Sequence, residues 1–135
     1  MLSFLFHDII WKKRAGLLAI LWALLIFFLC LFPGNEIPEM EIPFLDKIVH
    51  IVLFAIWSFL WMTYFTEFRI RNFIVVFIGG VLLGWFTEFL QGTLALLHRN
   101  MDVKDILADI VGCALGLLIF YIFYTMHTTS LRNAR

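Results

Sequence analysis

Four apolar stretches, each long enough to cross a lipid bilayer, take up most of this chain and decide what it can fold into. Ala15 to Phe32 carries no charge. Ile48 to Thr66 is interrupted by His50, Phe73 to Leu97 by Glu88, and Ile106 to Met126 by Asp109. A hydrocarbon core about 30 Å thick needs roughly 20 apolar residues in a helix. Of the 135 residues, 63% are hydrophobic and 15% charged, whereas about a quarter of a soluble domain is charged. The expected fold is all-α: a polytopic membrane protein forming one four-transmembrane-helix bundle over residues 1–135. Its spans are expected at about 15–32, 48–66, 73–92 and 106–125, which leaves no room for a soluble catalytic module.

The net charge is zero, but the cations are unevenly placed. With four crossings both termini share one side, which then holds Lys12, Lys13, Arg14, Arg69, Arg71, Arg132 and Arg135; the other side holds Lys47, Arg99 and Lys104. Such an asymmetry close to helix ends places both termini in the cytoplasm. Residues 1–13 predict a short interfacial helix anchored by Trp11. The first apolar run is too long for a signal-peptide core and lacks a small-residue cleavage site, so it is expected to remain as a span. Pro33-Gly34 ends it, and the following loop, with Glu36, Glu39, Glu41, Pro38 and Pro43, is expected to lie extended on the outer surface.

The polar residues within or beside the spans gather at that outer end. Asp46, Lys47 and His50 open the second run, Glu88 and Gln91 lie near the end of the third, and Asp105 and Asp109 open the fourth, with Arg99 and Asp102 in the turn before it. A charged side chain in the bilayer centre costs about 2.5–3.5 kcal/mol or more, so such residues are functional candidates by default. Counting from Phe73 at 1.5 Å per residue puts Glu88 roughly 22 Å along its helix, level with His50 and Asp109. Each residue alone also has a plain structural reading, as a helix-start acid, an interfacial histidine or an interhelical hydrogen-bonding group.

Helical spacing places Gly80, Gly84, Glu88 and Gln91 on one stripe of the third span, and Asp105, Asp109, Gly112 and Gly116 on one stripe of the fourth, with Ala108 extending the small-residue series. Small residues let transmembrane backbones approach closely, so the two stripes are expected to face one another as an antiparallel hairpin. His50, Phe54, Trp57, Trp61 and Tyr64 form an aromatic face on the second span. Arg99 is the nearest strong cation for the carboxylates and could clamp a carboxylate or phosphate. Cys30 and Cys113 read as small buried side chains, with a disulfide between spans one and four as the alternative.

One histidine and several carboxylates could ligate a cation, but no HExxH-like pair is present, and neither metal nor cofactor is expected. No nucleophile–histidine–acid set, phosphate-cradling glycine loop or nucleic-acid-binding feature occurs. Glu88, partly buried, could serve general acid–base chemistry.

In order and spacing these residues resemble the VanZ-like family of teicoplanin-resistance-associated membrane proteins. The matching pieces are Asp46-Lys47-x-x-His50, Glu88-x-x-Gln91, Arg99 with Asp102, and Asp105 followed by Ala108, Asp109, Gly112 and Gly116. The resemblance covers residues 15 to 125. It departs at Asp109, where the family usually has asparagine, which adds a possible charge to the site. The resemblance implies a bacterial inner-membrane protein without a settled activity. The leading expectation is a polar pocket facing the outside that binds a lipid headgroup, a lipid-linked cell-wall precursor or the lipid-bearing antibiotic. Arg99 and Lys47 would contact its anionic groups. The rivals are a small intramembrane hydrolase or transferase acting on a lipid phosphate or ester, and a purely structural protein. The oligomeric state is left open.

Overall fold

A computed structural model describes residues 9–33, 45–97 and 100–133. The outer loop with its prolines, most of the N-terminal interfacial segment and Arg99 fall outside the described residues. Four helices account for nearly all the rest: α1 (Ile9–Cys30), α2 (Leu45–Phe65), α3 (Ile70–Thr93) and α4 (Val103–Asn133). A 3-10 turn, Ala95–Leu97, follows α3. All four helices are long and apolar enough to cross a membrane.

The helices run past the apolar windows. Residues 9–13 form the first turns of α1, since nothing between Trp11 and Ala15 breaks a helix. α4 likewise continues beyond Met126 to Asn133, because no glycine or proline follows Gly116. At 1.5 Å per residue it is about 46 Å long, so it overhangs a roughly 30 Å core. α2 stops where Thr66 turns to a φ of 59°, its N–H still bonded to the Met62 carbonyl at 3.0 Å. That left-handed cap, unusual for a β-branched residue, lets the chain reverse into α3.

Packing is organised around α4. Its small residues meet α2: a side chain at Gly112 would strike Ile51 and Phe54, and one at Gly116 would strike the Ala55 carbonyl and Ser58. Ser58 Oγ, fully buried, donates to the Cys113 carbonyl at 3.2 Å across the same seam. α3 approaches α4 from another side, with Gly80 against Cys113 and Trp57 and Gly84 against Asp109. The expected face-to-face pairing of two glycine stripes is therefore corrected. Gly80 and Gly84 do face α4, but Gly112 and Gly116 face α2, because the bulkier Asp109 and Cys113 fill the space that the α3 glycines leave. α1 leans on α2, where Trp22 Nε1 donates to the Leu53 carbonyl at 2.8 Å. Cys30 and Cys113 are buried thiols.

The core includes Ile26, Phe54, Met62, Cys113 and Phe120, all buried. Outward-facing side chains such as Leu24, Phe28, Ile78, Leu82 and Leu118 are apolar and exposed, as a bilayer requires.

Gly116→Ala should drive a methyl group into the α2 backbone and cost about 1–3 kcal/mol. Gly79→Ala meets only Trp57, at an ordinary 3.4 Å, and should leave stability unchanged. Thermal unfolding of the two variants in detergent tests this contrast.

Candidate functional site

The N-terminal ends of α2 and α4 and the C-terminal ends of α1 and α3 meet at one end of the bundle. There Lys47 reaches from the first turn of α2 to the start of α4. Its Nζ lies 2.7 Å from Asp46 Oδ2, Asp102 Oδ2 and Asp105 Oδ1 alike. The first two are hydrogen bonds. The third is an ion pair.

Asp102 stands immediately before α4 and is held from three sides. Its Oδ1 accepts the Lys104 N–H at 2.9 Å, an N-cap bond that satisfies an otherwise orphaned helix-start donor. Its Oδ2 takes Lys47, and its own N–H donates to Glu88 Oε2 at 2.9 Å. Lys47 first, then the Lys104 N–H, hold its carboxyl below the ordinary aspartate value of 3.8.

One turn deeper lies a second polar layer. His50 Nδ1 and Asp109 Oδ1 are 2.8 Å apart, both residues buried. Gly84 makes room for the Asp109 carboxyl, since a Cβ there would come within 3.0 Å of Asp109 Cγ. Glu88 is fully buried. Its Oε1 and Asp109 Oδ2 have no hydrogen-bond partner among the described residues. Gln91 Nε2 donates to the carbonyl of Cys30, the last residue of α1, at 2.6 Å, closing one of the carbonyls that a helix end leaves open.

The two layers open into a recess of about 400 Å³ lined by Asp46, Lys47, His50, Gln91, Asn100, Met101, Asp102 and Asp105. Of the candidates read from the sequence, Asp46, Lys47, His50, Gln91, Asp102 and Asp105 line it, and Glu88 and Asp109 lie behind it. Arg99 falls outside the described residues. Ala108 is buried in α4, away from the recess. Asn100 and Met101 were not legible as lining residues, because only the path of the turn, pressed against Gly92, brings them there. His50, Glu88 and Asp105 offer ligand atoms within 4.8 Å of one another, a grouping that the sequence spacing did not reveal.

A second depression, about 570 Å³ and apolar, runs between α1 and α3 over α2. Ile20, Phe27, Trp57, Trp61, Leu83 and Phe86 are among its walls. The aromatic face expected on α2 divides accordingly: Phe54 enters the core and Trp57 and Trp61 form the floor of this groove. Trp61 and Tyr64 stack edge to face at 5.7 Å towards the other end.

A family model described as VanZ/LLP1 matches residues 15–124. An uncharacterised protein of Schizosaccharomyces pombe is 30% identical over 99 residues, which cover 73% of this chain and 60% of that relative. The chain thus spans about three-fifths of the relative's length. No solved structure matches it.

Asp102→Ala should lower the melting temperature more than Asp102→Asn, because asparagine keeps an oxygen to cap α4. Since the Asp102 pKa is depressed, its contribution is complete above the ordinary 3.8 and is lost as pH falls through the lower folded value. Melting curves of both variants across acid pH check the order and the sign.

Proposed function

The chain belongs to the VanZ/LLP1 family, and from that premise we propose that it is a multi-pass membrane protein that binds the headgroup of a membrane lipid or lipid-linked envelope component. The headgroup sits in the recess and its hydrocarbon lies along the apolar groove between α1 and α3. The observation that carries this reading is the position of a polar recess, lined by Asp46, Asn100, Asp102 and Asp105, at the headgroup end of four membrane-length helices.

Its charge narrows the chemistry. Among the described residues, Asp46, Glu88, Asp102, Asp105 and Asp109 outnumber Lys47 and His50, and the Lys47 ammonium is already shared by three carboxylates. Lys47 is therefore not available to the anionic groups first assigned to it. The surplus of acceptors suits a headgroup that donates N–H or O–H, such as an ammonium or a sugar hydroxyl. A fungal relative favours a lipid headgroup over a cell-wall precursor or a glycopeptide, because fungi make no peptidoglycan. The distribution of basic residues supports a recess facing the outside. In a bacterial inner membrane, an effect on teicoplanin sensitivity would then follow from lipid binding.

Native mass spectrometry after release from mixed vesicles tests this. Phosphatidylethanolamine carries N–H donors that phosphatidylcholine, with its quaternary ammonium and the same acyl chains, lacks. Hydrogen bonds to charged groups contribute about 1.5–3 kcal/mol, so retention of the ethanolamine lipid should be about tenfold greater. It should fall in Asp46→Asn/Asp102→Asn. Equal retention of the two lipids would remove the proposal.

A further inference from the structure

Among the described residues, the deeper layer of the site holds more carboxylates than basic groups. Glu88, Asp105 and Asp109 converge there from α3 and α4, and His50 is the one basic group among those described. Lys47, the nearest ammonium among the described residues, is divided between Asp105 and the two rim aspartates. Buried carboxylates need a cation or a full set of hydrogen bonds. Among the described residues, Glu88, with no exposed surface, has neither at Oε1, and Asp109 has neither at Oδ2.

We propose that His50, Glu88 and Asp105 bind a divalent transition cation of the Zn²⁺ or Mn²⁺ class, with Asp109 as the residue that orients the histidine. The distances fit: the three side chains offer ligand atoms within 4.8 Å of one another, and metal–nitrogen and metal–oxygen bonds of about 2.0–2.2 Å can bridge such a set from a central point. The histidine is prepared for it. With Nδ1 held at 2.8 Å from Asp109 Oδ1, Nε2 is the ring nitrogen left for a ligand. A carboxylate behind a ligating imidazole fixes its tautomer and ring orientation in this way at metal sites.

Glu88 is similarly set, because the Asp102 N–H fixes Oε2 at 2.9 Å and Oε1 remains without a partner. One imidazole and two carboxylates suit a borderline cation rather than a soft one. Three protein ligands would leave a coordination position open towards the recess, as at sites where a metal also meets a small ligand or water. This inference goes beyond the headgroup reading and does not depend on it, since the cation site can fill in lipid-free detergent.

Metal-stripped wild-type protein in detergent, titrated with Co²⁺ and then with Zn²⁺, gives the decisive result without any variant. Saturation at one equivalent, with a visible Co²⁺ spectrum of low coordination number that Zn²⁺ abolishes, is the expected outcome. Glu88→Gln and Asp105→Asn should each weaken Zn²⁺ uptake more than tenfold, and Asp109→Asn by about 10- to 100-fold, the usual effect of an outer partner. Glu67→Gln, at the opposite end of the bundle where Glu67 pairs with Arg69, should bind as wild type does. A spectrum of hydrated Co²⁺ with no saturation would overturn the proposal, as it would if the carboxylates were neutralised by protons alone. Equal Zn²⁺ uptake by folded Glu88→Gln would overturn it too.

Discussion

The ammonium of Lys47 lies 2.7 Å from a carboxylate oxygen of each of Asp46, Asp102 and Asp105, and the geometry of the polar end depends on that cluster. It ties the first turn of α2 to the start of α4. Asp102, pinned by the ammonium and by its capping bond, in turn presents its backbone N–H to Glu88 on α3. Three helices are thereby fixed at one level by charge and hydrogen bonding. Below that level they are held by close backbone approach, at Gly112 and Gly116 against α2 and at Gly80 and Gly84 against α4. Gly84 belongs to both systems, since the space it leaves is the space the Asp109 carboxyl occupies.

This division of labour follows from the solvent. In a bilayer the apolar faces of helices gain little from meeting each other rather than lipid, so small residues and polar contacts decide which faces pair. The outward faces remain uniformly apolar, with Leu24, Ile78, Leu82 and Leu118 exposed. The polar residues are therefore confined to the bundle interior and to its end. Under the proposed function, the recess would take the polar end of an amphiphile and the apolar groove beside Trp57 and Trp61 its hydrocarbon.

Much of this was legible in the sequence, for identifiable reasons. Long apolar runs gave the four helices, and counting the helical rise put His50, Glu88 and Asp109 at a common depth. The spacing of Gly80 and Gly84 pointed to a face that meets α4. What spacing could not supply was rotation about each helix axis. It therefore paired Gly112 and Gly116 with α3, when those residues turn to α2. Charge sign alone suggested that Lys47 was available to an anion, because nothing in one sequence tells that three aspartates share it. The lining residues Asn100 and Met101, and the approach of His50 to Glu88 and Asp105, depend on the course of the turn after α3, which carries no periodic signal.

The account stands on Lys47 being coupled to the aspartates of α4, and a double-mutant cycle measures that coupling directly. Unfolding free energies of wild type, Lys47→Met, Asp105→Asn and the double variant, in one detergent at neutral pH, give the interaction term. The structure predicts a coupling of about 1 kcal/mol or more, within the range found for residues sharing a charge network. Strictly additive effects would mean that the two side chains do not meet, and would contradict the site as described.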